Sequence, residues 1–233
     1  MIPAGPVLAL DSSTSGGSVA VAVDGEVVAE RVLPSAAGAS SLLMPAVDEA
    51  VGAAGLRPRD LAAVVVAAGP GSFTGLRIAA ATAKAIVRAL GVPLFAYSGL
   101  LAAAAAHRRE GRVVCALFDA RNREVFAGCW SFQGGFVDEL LLPAIVTVDE
   151  AIDRLRGESP LFTGDGAALH AAELEAAFGT GSVRPLGDES PAAGLLWLGR
   201  TIPERGLVAV PAAWEPEYLR ASGAERIAAA RAG

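Results

Sequence analysis

Two polar segments contain the residues whose types and spacing could do chemistry. In the first, Asp11 ends an apolar run and is followed by Ser12, Ser13 and Thr14. A carboxylate at the end of a strand can orient metal-bound water, and the turn after it can hold phosphate. An Asx-type turn, in which the side chain bonds nearby backbone, explains the same residues without a ligand. The sequence leaves both interpretations open.

In the second segment, a glycine-rich loop joins a predicted strand, Leu61 to Ala68, to a predicted helix, Leu76 to Leu90. The N–H groups of such a loop can bind an anion, or its glycines can simply allow close packing. The loop and the arginine after it comprise Gly69, Pro70, Gly71, Ser72, Phe73, Thr74, Gly75 and Arg77. A Walker A motif would have lysine and a hydroxyl residue after Gly75. A dinucleotide site would need an acidic residue further on, and none occurs from 61 to 109.

Other catalytic chemistries are poorly supported. The chain has only two histidines, His107 and His170, which are far apart in sequence, so we expect no transition-metal site. A Ser-His-Asp hydrolase is disfavoured because no Gly-x-Ser-x-Gly elbow occurs. The two cysteines, Cys115 and Cys129, lie in apolar runs, and we expect both to be buried free thiols.

The composition predicts a substantial core and an acidic protein. The 233 residues are 53% hydrophobic and 19% charged, with a formal net charge of −6. A protein that grips a nucleic-acid backbone alone normally has a basic surplus, so solo binding of tRNA or DNA is disfavoured. The first six residues have no signal-peptide pattern, and the apolar runs are too interrupted to span a membrane. We therefore expect a cytoplasmic protein without membrane contact.

The order of predicted elements indicates an α/β protein with two lobes, residues 1–106 and 107–233. In the first lobe, three antiparallel strands precede a helix, a strand, a helix, a strand and a helix. The three strands are Val7 to Leu10, Ser18 to Val23 and Glu26 to Leu33. The second lobe has a related but degenerate layout, and its final helix could pack back on the first lobe. Its predicted elements are Val113 to Phe118, Glu124 to Phe132, Val148 to Leu155, Leu161 to Thr163, Leu169 to Phe178 and Ala192 to Ile202.

Two helices of the first lobe have faces that could contact a partner. The helix from Ser41 to Ala54 has an apolar stripe of Leu43, Val47 and Val51, which turns Asp48 and Glu49 outward. In the helix from Leu76 to Leu90 we expect an inward stripe of Ile78, Thr82, Ala85, Ile86 and Ala89. Its outward side would then consist of Arg77, Ala80, Ala81, Lys84 and Arg88. One face is acidic and the other is basic with small residues, so a two-fold pairing would set unlike charges against each other.

Four segments together resemble the TsaB (YeaZ) family. They occur in the family's order, cover nearly the whole chain, and include a highly specific Gly-Pro-Gly-Ser-Phe-Thr-Gly-Leu-Arg string. The segments are Leu8 to Thr14, Gly69 to Arg77, Asp119 to Phe126 and Pro216 to Arg220. The resemblance implies an actin-like, Hsp70-like and sugar-kinase-like (ASKHA) fold of two lobes, each with a mixed sheet and flanking helices. It also implies a role in making threonylcarbamoyladenosine beside the anticodon of ANN-decoding tRNAs.

The resemblance further implies an accessory subunit rather than an enzyme. TsaB-like proteins pair, through a helix bundle, with a catalytic paralogue, TsaD, and act with a small ATPase, TsaE. TsaD-like sequences have a His-x-x-x-His metal motif where this chain has about Ser98 and Ala102, neither of which binds metal. Family members often have His-Ser before the first helix, whereas here Ala39 precedes Ser40, which puts a local contact in doubt.

The resemblance leads us to expect that this chain meets tRNA only through its complex with TsaD and TsaE. We expect ATP or ADP to bind only to that complex. The alternatives are a nucleotide-binding, ATPase-like regulator and a peptidase-like protein. Whether the isolated chain is a monomer or a homodimer is left open by the sequence.

Overall fold

The computed structural model describes residues 2–14, 16–34, 39–184 and 189–220, which form nine strands and eight α-helices within those ranges. The strands are β1 Val7–Asp11, β2 Gly17–Val23, β3 Glu26–Leu33, β4 Ala63–Ala67, β5 Leu94–Tyr97, β6 Val114–Arg121, β7 Glu124–Gln133, β8 Phe136–Thr147 and β9 Leu161–Thr163. The helices are α1 Ala39–Ala53, α2 Phe73–Leu90, α3 Gly99–Ala105, α4 Val148–Arg154, α5 Asp165–Leu169, α6 Ala171–Phe178, α7 Pro191–Thr201 and α8 Pro203–Gly206.

The first sheet has the order β3-β2-β1-β4-β5, with β1 antiparallel to β2 and parallel to β4. Alternate residues of β1 enter different cores because successive side chains of a strand point to opposite faces. Leu8 and Leu10 join the core under α1 and α2, whereas Val7 and Ala9 join the core under α3 and α7. Both faces are covered, which explains why β4 and the residues of β1 before Asp11 are apolar and why both strands are buried.

The second sheet repeats this arrangement with the order β8-β7-β6-β9. Here β6 is antiparallel to β7 and parallel to β9, as β1 is to β2 and β4. The prediction of two related layouts is therefore confirmed. One strand was missed, β8, because its apolar residues do not alternate and Pro143 lies within it. Irregular register where β8 pairs with β7 at Cys129 removes the period-2 signal.

Helix α7 joins the two halves of the chain. Its buried face, which includes Leu195 and Leu198, packs in the same core as Ala9 of β1 and Val65 of β4. Gly194 lies so close to α3 that a Cβ there would come within 3.0 Å of the Ala102 carbonyl oxygen. The absent side chain thus lets two helices cross at short distance.

Helix α2 has a different inward face from the one that the sequence predicted. It begins at Phe73, three residues early, with Ser72 as N-cap, and ends at the left-handed Gly91. Its buried residues are Gly75, Leu76, Ala79, Ala80, Ala83 and Val87. Ala85 and Ala89 are exposed instead. The prediction that Ala80 faces outward was wrong, because an alanine-rich helix offers little hydrophobic contrast from which to infer its phase.

Helix α1 agrees better with its pattern. Leu43, Val47 and Val51 are buried and Asp48 and Glu49 are exposed, as predicted. The longer aliphatic side chains of this helix define the buried stripe clearly.

The two cysteines correct another prediction. Cys115 and Cys129 are directly opposite each other on β6 and β7, with Cα atoms 4.1 Å apart, and they form a disulfide. Both are fully buried, as expected, but they are not free thiols. The strand pairing that brings them together is long-range information, and their separation of 14 residues does not reveal it.

In the part of the chain that the structure describes, no helix is both long enough and apolar enough to cross a membrane.

Candidate functional site

The glycine-rich loop packs directly on the turn that follows Asp11. The Ser72 N–H donates to the carbonyl oxygen of Ser13 at 2.7 Å. A Cβ on Gly71 would lie within 3.0 Å of that same oxygen, and a Cβ on Gly75 would lie equally close to the carbonyl of Ser12. Both glycines are therefore required for backbone approach. The structure thus brings together the two segments that the sequence singled out.

Asp11 is enclosed at this junction. Its side chain is buried, and its Oδ1 accepts hydrogen bonds from the Ser13 N–H at 3.1 Å and from the Ser13 hydroxyl. Burial raises the pKa of Asp11 above its ordinary value of 3.8, and the charge of Asp165 raises it further, against the lowering effect of the Ser13 hydrogen bonds. This geometry is that of an Asx-type turn closed over its own carboxylate.

Several amides of the glycine-rich loop have partners within the protein. The Gly75 N–H donates to the Ser72 hydroxyl at 3.3 Å and the Leu76 N–H to the Ser72 carbonyl at 2.8 Å. The Gly99 N–H, at the start of α3, donates to the Gly69 carbonyl at 2.8 Å. An anion-binding loop instead directs its N–H groups at the ligand. The hydrogen bonds above instead hold the loop against the protein itself.

The second sheet has an equivalent junction. Asp165 follows β9, and its Oδ1 accepts from the N–H groups of Asp119 at 3.1 Å and of Gly166 at 2.9 Å. Gly164 lies so close to the end of β6 that a Cβ would come within 3.0 Å of the Leu117 carbonyl. Sequence reasoning gave Asp165 no role, although Gly-Asp-Gly after a short strand parallels Gly-Pro-Gly in the first lobe.

The last described residues, 216–220, form what we call the C-terminal strap. The Glu217 N–H donates to the Ala68 carbonyl at 2.7 Å, and the Tyr218 ring lies against Phe73 with centroids 5.0 Å apart. Arg220 donates to the Ala120 carbonyl and to Glu124. The strap therefore ties the glycine-rich loop to the β6–β7 hairpin, and all four segments of the family resemblance meet at one place.

Arg77 lies beside the strap on the first turns of α2. Its guanidinium stacks over the Phe73 ring at 3.9 Å and is 5.9 Å from the Tyr218 ring. Such cation–π contacts hold the side chain in a defined orientation while it stays exposed.

The predicted partner-facing residues lie along α1 and α2. Asp48, Glu49, Ala81 and Arg88 are exposed, whereas Ala80 is buried. The Lys84 ammonium donates to the Trp214 carbonyl at 2.6 Å and to Glu215 at 3.0 Å, so this side chain fastens the segment at Trp214 to α2. That contact was not foreseen, because it joins residues 130 positions apart.

In the described ranges, no three residues among His, Cys, Asp and Glu cluster as metal ligands would. His107 is buried against the Thr163 hydroxyl at 3.0 Å, and desolvation lowers its pKa. His170 lies beside Glu173 at 3.5 Å. Of the two positions that the resemblance compares with the TsaD histidines, Ser98 caps α3 and Ala102 is buried.

Two sheets of the same layout, each with glycine turns packed on an acidic strand end, define a protein of the ASKHA fold. A family model described as "TsaD: tRNA N6-adenosine threonylcarbamoyltransferase" matches residues 27–175. The tRNA threonylcarbamoyladenosine biosynthesis protein TsaB of Bacillus subtilis is 30% identical over 226 residues, covering 94% of this chain and 96% of that protein. The chain belongs to the TsaB family.

Other matches agree with this assignment. The TsaB protein of Escherichia coli is 33% identical over 162 residues, which are 65% of this chain and 68% of that protein. The solved structure of YeaZ from Pseudomonas aeruginosa has a TM-score of 0.73 at 27% identity, over 92% of this chain and all of that chain. Component A of (R)-2-hydroxyglutaryl-CoA dehydratase from Acidaminococcus fermentans has a TM-score of 0.51 at 10% identity, over 83% of this chain and 96% of that one, and so shares the fold alone.

Proposed function

We propose that this chain is the non-catalytic partner subunit of a TsaD-like threonylcarbamoyltransferase. It pairs with and activates that enzyme, which modifies the adenosine beside the anticodon of ANN-decoding tRNAs. The names of its relatives support the pathway, since several are called tRNA threonylcarbamoyladenosine biosynthesis proteins. The observation that carries the non-catalytic role is the enclosure of Asp11 by Ser13.

An ATPase of this fold needs the first carboxylate to face its metal-bound water. In this chain the Asp11 carboxylate accepts two hydrogen bonds from Ser13 and is buried beneath the loop that contains Gly71 and Gly75. Both hydrogen bonds fall on Oδ1, and burial, which raises the pKa of Asp11, disfavours the charged form that would polarise water. The junction therefore serves the packing of the two segments rather than phosphoryl chemistry.

The side chains at the metal-binding positions of TsaD-like sequences support the same proposal. The Ser98 hydroxyl accepts from the Leu101 N–H at 3.4 Å as the N-cap of α3, and Ala102 has no donor atom. Neither residue type ligates iron or zinc in the way that a histidine pair does. The hydroxyl at 98 acts as a helix cap.

The partner surface that we propose is the outer side of α1 and α2. Met44, Asp48 and Glu49 are exposed on α1, and Ala81 and Arg88 on α2. Small residues on α2 allow another helix to approach closely, and the acidic and basic edges suit a two-fold arrangement. Ala81 takes the place that the sequence had given to Ala80, which lies in the core.

Ala81→Arg tests this surface. The substitution places a bulky charge at the centre of the interface, and we expect the affinity for TsaD to fall on the order of 100-fold. Ala176→Arg, at an exposed alanine of α6 in the second lobe, is the matched control and should bind normally. Analytical ultracentrifugation measures binding and circular dichroism checks folding. Normal binding by folded Ala81→Arg would place the interface elsewhere.

The role in modification has its own test. We expect the purified chain alone to leave tRNA unmodified with ATP, threonine, bicarbonate and the threonylcarbamoyl-AMP synthase. The chain should become necessary for modification once TsaD and the TsaE-like ATPase are added. We expect ATP or ADP to bind only to the assembled complex, and tRNA to be held only through that complex. Full modification in a reaction that lacks this chain would refute the proposal. The proposal also includes a boundary between the two lobes at residues 106 and 107 and a cytoplasmic location. It allows a homodimer of the isolated chain.

A further inference from the structure

The tip of the β6–β7 hairpin has an unusual backbone. Arg121, Asn122 and Arg123 have φ values of 68°, 55° and 61°, so three consecutive non-glycine residues are left-handed. Side chains with a Cβ occupy this region at a cost in free energy, and normally do so singly. Asn122 tolerates the conformation well, whereas the two arginines do not.

The chain itself shows what this kind of turn prefers. The two-residue loop between β2 and β3 is Asp24-Gly25, and the one between β7 and β8 is Gly134-Gly135, all four with positive φ. Glycine at the second position of such a turn avoids strain. The β6–β7 loop has Arg123 at that position. This chain thus has arginine where its other two hairpins have glycine.

The arginine side chains at the tip contribute little to the fold. Arg121 and Arg123 are 83% and 77% exposed, and their nearest carboxylates are Asp119 at 3.2 Å and Glu173 at 3.7 Å. Exposed ion pairs of this kind add little stability. The tip is held from beneath by the hydrogen bonds of Arg220 to the Ala120 carbonyl and to Glu124. The backbone is therefore strained at a tip that exposes two guanidinium groups to solvent.

We propose that this tip, Arg121-Asn122-Arg123, binds the phosphate backbone of RNA. Guanidinium and amide groups are common donors to phosphate oxygens, and such contacts need no apolar neighbours. The tip offers none, since the adjoining Ala120 and Val125 are buried. A protein interface would instead be expected to have apolar or aromatic anchors at its core. With a net charge of −6 the chain needs a partner to hold RNA firmly, so the inference rests on the proposed function.

A reciprocal exchange of residues tests whether arginine at position 123 lowers stability. Arg123→Gly should raise the melting temperature by roughly 2–4 °C, because it relieves one strained residue. Gly135→Arg makes the opposite change at the sibling hairpin, where nothing lies within 4 Å, and should lower the melting temperature by a similar amount. If Arg123→Gly is no more stable than the wild type, the strain argument is wrong.

RNA binding is then measured by fluorescence anisotropy with labelled tRNA and the complex of this chain with TsaD, over a range of salt concentrations. Each arginine that contacts one phosphate should lower the salt slope by about 1, so each glycine variant should bind roughly 5-fold more weakly at 0.15 M salt. Arg57→Ala is the control, since Arg57 is 65% exposed, paired with Asp60 and located before β4. Its affinity should not change.

Ultracentrifugation of the same variants separates this inference from the proposed function. If Arg121→Gly and Arg123→Gly pair normally with TsaD but bind tRNA with an unchanged salt slope, the tip does not contact RNA and the proposed function stands. If they lose TsaD rather than RNA, the tip is a protein contact and the inference is wrong. If neither the wild type nor any variant pairs with TsaD, the proposed function fails, and binding of a short RNA by the isolated chain at low salt tests the inference. Equal RNA affinity of the wild type and the glycine variants would then show that the inference is wrong.

Discussion

The Tyr218 ring lies against the Phe73 ring with centroids 5.0 Å apart and planes at 46°. Phe73 begins α2, directly after the glycine-rich loop, and Tyr218 is in the C-terminal strap. Arg77 stacks on the same Phe73 ring at 3.9 Å. A contact across 145 residues thus holds the last described turn of the chain on its most specific sequence motif.

Removing the Tyr218 ring should loosen the strap. We expect Tyr218→Ala to lower the free energy of unfolding by about 1–2 kcal/mol, since an aromatic pair contributes roughly 0.5–1.5 kcal/mol beyond the area that it buries. Tyr218→Phe keeps the ring and should stay within about 0.5 kcal/mol of the wild type. Urea unfolding followed by tryptophan fluorescence measures both. Equal stabilities of the two variants would mean that the ring contact contributes nothing.

Two helical glycines should respond in opposite directions to the same substitution. Gly75→Ala places a Cβ within 3.0 Å of the Ser12 carbonyl and should cost about 3 kcal/mol or more. Gly52→Ala in α1 meets nothing within 4 Å and should stabilise the protein by about 1 kcal/mol, because alanine is the better helix former. Chemical denaturation distinguishes them. If Gly75→Ala lowers the free energy of unfolding only slightly, the glycine-rich loop and the turn after Asp11 can move apart without destabilising the protein.

The raised pKa of Asp11 predicts a particular pH dependence. Because burial makes the folded protein bind this proton more tightly than the unfolded chain does, its contribution to stability falls as pH rises above about 4. Asp11→Asn cannot ionise, so its stability relative to the wild type should increase as pH rises above about 4, by about 1.4 kcal/mol for each unit by which burial raises the pKa. Asp138→Asn, at an exposed carboxylate of β8, is the control. A constant difference between Asp11→Asn and wild type would contradict the raised pKa.

The disulfide predicts sensitivity to reductant. Cys115 and Cys129 close a loop of 14 residues that includes the strained tip, and a bond of that span restricts the unfolded chain by about 3 kcal/mol. Dithiothreitol should therefore lower the free energy of unfolding by about that amount. The double variant Cys115→Ala, Cys129→Ala should not respond to it. Peptide mapping without reductant identifies the bond directly, and two alkylated cysteines in the untreated protein would refute it.

The sequence by itself determined the elements that have strong local patterns. Most strands and helices were predicted within a few residues of their observed ends, because continuous apolar runs, glycine stops and hairpin turns are local signals. The glycine-rich loop and the turn after Asp11 were also found as the candidate site. The family resemblance placed its four segments in one fold, although it did not show how they touch.

Only the tertiary structure decided what those segments contact. The phase of α2, with Ala80 inside and Ala85 outside, depends on the sheet beneath it, since alanine fits equally well on both sides of a helix. The disulfide and the contact between Lys84 and Trp214 join positions that are brought together by strand register and by the path of the chain. From the sequence alone, Asp11 fits a ligand-binding group and an Asx-type turn equally well. Its enclosure by Ser13 and by the loop of Gly71 and Gly75 depends on backbone approach to within van der Waals distance, which no sequence pattern specifies.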